Sequence, residues 1–227
     1  MTVRAVVLPG TALLVPGAAG AASVLEPVRE AALAALADLV ADLPADGGES
    51  AVVVVAPGTA RARGAARASL AAAGIAHRWI DPAWAAATRP LDRPVAGTAA
   101  SVALLALAGA GWSGDVDVVE LGGPGTGTET YTDTGTETAT ATEASAALGA
   151  ARAVGAELAR EGARLVVVHD PRSTLPEAAL DGFVAAAGAE AAPVATDDEP
   201  GPAVAVRRYE VGTPAAGSRP AGPVVSR

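Results

Sequence analysis

Short apolar runs alternate along this chain with longer stretches of helical periodicity. Val3–Leu8, Ala51–Ala56, Ile75–Ile80, Val116–Leu121 and Arg164–Val168 read as strands, and AVVVVA at 51–56 is continuous enough to be buried on both faces. Ala203–Tyr209 is a sixth, more polar run that reads as an edge strand. Between them, Ala22–Leu43, Ala60–Ala73, Thr98–Gly111, Ala144–Glu161 and Pro176–Ala187 read as helices. In the first, Leu25, Val28, Leu33, Leu36, Leu39 and Val40 recur at three- and four-residue spacing, with Glu26, Arg29, Glu30 and Asp38 on the remainder. Ser23 fits an N-cap, Glu26 completes a capping box, and Asp46-Gly47-Gly48 closes the connection to the next strand. Strands alternating with helices of this length predict an α/β fold in which a mostly parallel sheet carries helices on both faces. One domain over 1–211 accommodates these elements, followed by a flexible Pro-, Gly- and Ser-rich tail at 212–227. Thr196–Pro202 reads as a turn-rich acidic loop.

Composition narrows the chemistry. The 227 residues include no Cys, Lys, Asn or Gln and only two His, His77 and His169, which removes most nucleophilic, Schiff-base and zinc mechanisms. Aromatics are 3% against 51% hydrophobic, so the core is built from Ala, Val and Leu. All 16 basic residues are Arg and the net charge is −9, which argues against a nucleic-acid partner. Arg61, Arg63 and Arg67 cluster at helical spacing and read as a solvated helix face. The opening residues resemble a secretory leader, but Pro9 and Pro16 break the apolar run and a first strand explains them as well. Thr98–Gly111 is too short to span ~30 Å of hydrocarbon, so the expectation is a cytoplasmic protein with no membrane partner.

From Thr126 to Thr142 every even-numbered residue is Thr, nine in succession, and TGTET occurs twice. Extended, this segment would put the hydroxyls on one face and Glu129, Tyr131, Asp133 and Glu137 on the other. A low-complexity surface loop over 126–143 is the preferred reading, and a partner-contacting module is the alternative.

Ligands in open α/β sheets bind outside the carboxyl ends of the strands. Those ends supply Pro9-Gly10-Thr11, Pro57-Gly58-Thr59, Asp81, Gly122-Gly123 and His169-Asp170. The two Pro-Gly-Thr turns offer exposed N–H groups and a hydroxyl, making Gly10, Thr11, Gly58 and Thr59 candidate ligand-binding residues. His169 and Asp170 are the candidate catalytic pair. Adjacent residues on a strand point to opposite faces, so the two are not expected to bond each other, and Asp170 before Pro171 equally fits a turn. His77 is expected at the surface or half-buried. GGPGTGT at 122–128 matches neither a Walker loop, which needs Lys, nor G-x-G-x-x-G leading into a helix. Neither the G-x-S-x-G elbow nor an H-x-x-x-H pair occurs.

The opening VRAVVLPGTALLVPGAAG, continuing into SVLEPVREAALAAL, resembles the class III extradiol ring-cleavage dioxygenase-like proteins of actinobacteria. AVVVVAPGT, RPVAGTAASVALLALAGAGW and LAREGARLVVVHDPRSTLPE agree in order, so the resemblance covers about residues 3–182. It implies an α/β fold holding Fe(II) through two His and a carboxylate. The first His would follow the first strand, where Pro9-Gly10-Thr11 stands, and the second would follow the second strand, at Pro57-Gly58-Thr59. Neither position is His, and no motif places the late carboxylate, for which Glu210 is the candidate. The resemblance therefore implies a degenerate member with no metal ligands and no cofactor. Three functions stay open. One is a non-catalytic protein binding a small molecule or a protein partner, a second copy of itself included. Another is an oxidoreductase or other enzyme with a site relocated to His169 and Asp170. The last is an interaction module using the Thr-rich loop.

Overall fold

The computed structural model describes residues 2–20, 22, 24–44, 52–122, 141–192 and 205–211. It is an α/β protein, as the alternating pattern predicts. β1 (Thr2–Pro9), α1 (Glu26–Val40), β2 (Val52–Pro57), β3 (Ala62–Ala65), α2 (Thr98–Gly109) and β4 (Val116–Leu121) come first. They are followed by α3 (Ala141–Arg160), β5 (Arg164–His169), α4 (Leu175–Ala187), β6 (Glu190–Ala192) and β7 (Arg207–Val211). The sheet order is β3-β4-β2-β5-β1-β7-β6. β4, β2, β5 and β1 are mutually parallel, with Val54 opposite Val118 and Val166, and Val6 opposite Val166. The outer strands β3, β7 and β6 join antiparallel.

Parallel neighbours need crossover helices, and the crossovers cover both faces. Val6, Leu8, Val54, Ala56, Val166 and Val168 pack toward α1 and α2. The alternate residues Ala5, Val7, Val53, Val55, Leu165 and Val167 pack toward α3 and α4, around the fully buried Phe183. Period-two alternation along strands buried on both sides explains why their sequence reads as unbroken apolar runs. β1 lies between β5 and β7, so the segment resembling a leader forms an interior strand. Among the described residues no helix is long and apolar enough to cross a membrane.

Several sequence expectations are corrected. Ala60–Ala73 is not a helix: Ala62–Ala65 pairs antiparallel with β4, and Gly64 has φ 152°. The Arg cluster therefore shares no helix face, and Arg63 instead reaches Asp117 at 2.8 Å and Glu161 at 3.0 Å. Hydrogen bonds to Glu161 and then Asp117 hold its guanidinium proton more tightly than usual. Ile75–Ile80 is not a strand but contains a 3-10 turn, His77–Trp79, so Asp81 stands at no strand end. β7 begins later than expected and is not an edge, since β6 lies outside it.

The expected N-cap residue, Ser23, lies outside the described residues. Leu25 occupies the N-cap position at φ 57°, with Pro27 in the first turn and Glu26 bound to Arg29 at 2.5 Å. That left-handed Leu is held by Arg29, which is 8% exposed: its Nε donates to Leu14 O at 2.7 Å and its Nη2 to Val24 O at 3.0 Å. Ala141–Glu143 belong to the first turn of α3, so the Thr ladder cannot run extended through Thr142. The rest of that repeat, Asp46-Gly47-Gly48, Thr196–Pro202 and the 212–227 tail lie outside the described residues.

Candidate functional site

The four parallel strands end side by side, delivering Gly122, Gly58, His169 and Gly10 across the carboxyl edge of the sheet in that order. The topology therefore brings together the strand-end residues singled out from the sequence, except Asp81, while Gly123 lies outside the described residues.

The glycine amides of the two Pro-Gly-Thr turns are not free. Gly10 N–H donates to His169 O at 2.8 Å, and Gly58 N–H donates to Leu121 O at 3.1 Å. Each bond extends the parallel ladder one residue past the strand. Thr11 Oγ1 accepts from Leu13 N at 3.3 Å and caps the 3-10 turn Ala12–Leu14, while Thr59 is exposed. The glycines are also required sterically. A Cβ on Gly10 would stand 2.8 Å from His169 O and 3.1 Å from Val168 Cγ1. On Gly58 it would stand 2.7 Å from Glu120 Cβ and 3.1 Å from Ala60 O. An ordinary non-bonded approach is ~3.5 Å, so a side chain in place of either glycine must displace its neighbours.

His169 alternates with Val167 and points to the α4 face. There its Nδ1 meets Glu177 Oε1 at 2.8 Å, in the first turn of α4, and Arg207 Nη2 on β7 reaches the same oxygen at 2.5 Å. An ionised carboxylate only accepts, so Nδ1 carries the proton and Nε2 is left open. Asp170 takes no part: its Oδ1 accepts from Arg172 N at 2.9 Å and its carbonyl accepts from Ser173 N at 3.0 Å, closing the turn before α4. Ser173 Oγ is buried without a hydrogen-bond partner, so His169 does not hold it as a nucleophile. Glu177 lies 8 positions from His169, and Arg207, which binds Glu177, lies 30 further on, so no local pattern marks the cluster.

Glu210 lies at the wrong end of the sheet for a strand-end ligand. It is opposite Val3 on β1, about 20 Å of strand from Pro9, and accepts from Arg208 at 2.8 Å. Among the described residues no group of three or more His, Cys, Asp and Glu side chains is arranged to hold a metal ion.

A second concavity lies between β3 and α2. His77 is exposed, and its Nε2 lies 3.0 Å from the hydroxyl of Thr88, which is only 5% exposed. That hydroxyl donates to Ala85 O at 2.7 Å, so Nε2–H is the donor to it and Nδ1 is open. His77, Ile80 and Arg89 line two cavities of about 370 and 620 Å³. The reading of 60–80 as a helix and a strand concealed this place.

Set beside models of known protein families, curated proteins and solved structures, the chain matches none of them.

Proposed function

We propose that this chain is a dioxygenase-like α/β protein without an intact iron site, acting by binding a small molecule or a protein partner. The supporting observation is the packing at Gly10 and Gly58. Both glycine amides are used in the ladder, and neither glycine position has room for a Cβ. An imidazole at either place would disturb the sheet that carries it. The position of Glu210, at the other end of the strands opposite Val3, supports the same reading. The proposal extends to a cytoplasmic location.

The test is an oxygen-electrode assay of purified protein with Fe(II), ascorbate and a panel of catechols. No oxygen uptake above the iron-only blank is expected. Ring opening dependent on the protein would overturn the proposal.

A second reading draws on the hydrogen-bonded His169–Glu177 pair, which leaves Nε2 positioned as a base. Here the chain is an enzyme with a relocated site. If the chain accelerates any reaction in a panel of oxygen-consuming and hydrolytic assays, His169→Ala should lower that rate by at least about a hundredfold. An unchanged rate would dismiss this reading.

A further inference from the structure

Six arginines with a described position are neutralised at close range. Arg29, Arg63, Arg93, Arg164, Arg207 and Arg208 each hold a carboxylate within 3.0 Å. In the segment between β3 and α2, Arg93 follows this pattern, whereas Arg67, Arg78 and Arg89 have no such ion pair among the described residues. Arg67 and Arg89 line the cavity of about 370 Å³, Arg78 and Arg89 line the adjoining one of about 620 Å³, and among the described residues no Asp or Glu lines either. In a chain of net charge −9 this is a local concentration of positive charge with no carboxylate in its lining.

Arg67 is fixed from both sides of its backbone. Its N–H donates to Pro94 O at 2.9 Å, and its carbonyl accepts from Ala96 N at 3.0 Å. Its Nε is nevertheless buried with no hydrogen-bond partner, a condition native proteins rarely leave uncompensated. Ser69 lies beside it. The Ser69 hydroxyl accepts from Ala71 N at 3.3 Å, which leaves its own hydrogen to donate. His77 completes the polar side with its open Nδ1. The remaining wall is apolar, including Leu70, Ile75, Ile80 and Leu91. The volume falls within the ~300–1,000 Å³ typical of small-molecule sites.

We propose that this cavity binds a small monocarboxylate with an apolar body. Arg67 and Arg89 take the carboxylate, Ser69 donates to it, and Leu70, Ile75 and Ile80 cover the hydrocarbon. Guanidinium groups suit a planar carboxylate because two N–H groups can engage both oxygens. The apolar wall distinguishes such a ligand from a bare anion, and the unopposed arginines distinguish it from a neutral alcohol. This inference rests on the reading of the chain as a binding protein, and it supplies the ligand class and the place.

Isothermal titration of the full chain with sodium octanoate, 1-octanol and inorganic phosphate tests it. Octanoate is expected to bind one-to-one, about tenfold or more tighter than octanol, with no saturable phosphate binding. Arg67→Met and Arg89→Met should each weaken octanoate about tenfold while leaving octanol unchanged. Arg89 is exposed, so its variant keeps the test available if Arg67→Met fails to fold. Absence of octanoate binding, equal affinity for octanol or phosphate, or unaltered affinity in a folded Met variant would each overturn the assignment. None of these results bears on iron-dependent oxygen uptake, so failure here is separable from failure of the binding-protein reading.

Discussion

Gly155→Ala should destabilise this protein, although alanine is the better helix former. Gly155 lies in α3 where that helix crosses α4. A methyl group there would sit against the Ala179 carbonyl, with the carbonyl carbon at 2.7 Å and Phe183 N at 2.9 Å. The first distance is about 0.8 Å inside an ordinary ~3.5 Å contact. Both obstacles are α4 backbone, which no rotamer change can move, so the two helices must separate. Separation loosens Val154 and Leu158 against Leu180 and the fully buried Phe183. Overpacking of this kind costs about 1–3 kcal/mol, and more where backbone must shift. The gain in helix propensity is about 1 kcal/mol. With backbone as the obstacle, the net loss should be about 2 kcal/mol, or roughly 4–8 °C in Tm for a chain of this size. Gly149, on the same helix, is the control. A Cβ there meets nothing within 4 Å, so Gly149→Ala should gain up to about 1 kcal/mol. Circular-dichroism melts and urea titrations of both variants read the opposite signs. A Gly155→Ala protein as stable as its parent would refute the close helix crossing.

Other consequences concern the arginines. Arg29→Ala removes the bonds to Leu14 and Val24 that hold the left-handed Leu25 and the start of α1, and should cost about 3 kcal/mol by urea denaturation. A change within about 0.5 kcal/mol would contradict that anchoring role. Asp42→Ala strips both short contacts, 2.6 and 2.7 Å, from Arg164, whose side chain is 7% exposed, and should cost about 1–3 kcal/mol. Arg63→Ala breaks two contacts of a side chain 46% exposed, so thermal melts should register less than about 1 kcal/mol, shrinking further in high salt.

The central strands were legible because a strand buried on both faces needs apolar residues at every position. β1, β2 and β5 state that in sequence. The outer elements carry weaker signals. In 60–73, Ala-rich composition favours a helix locally, but pairing of Ala62–Ala65 with the exposed side of β4 overrides that propensity. Three-residue β6 is too short to show a period at all. The strand-end row followed from topology and so could be anticipated, whereas its chemistry could not. Whether Gly10 and Gly58 present free amides depends on ladder bonds to His169 and Leu121, on strands distant in sequence. Likewise, Glu177 meets His169 only through α4, and Arg207 meets Glu177 only through β7. The arginine-lined cavity was hidden for the same reason, since its residues fall in segments whose local pattern suggested a helix and a strand.

Iron binding by the full chain tests most directly the proposal that it has no intact strand-end metal site. Purified protein should be titrated with Fe(II) under anaerobic conditions, and the iron retained after desalting measured by elemental analysis. Loss of the site predicts less than about 0.1 iron per chain, because neither glycine turn supplies a ligand. Retention of about one iron per chain, abolished by His169→Ala, would contradict it and restore a metal centre at the carboxyl edge of the sheet.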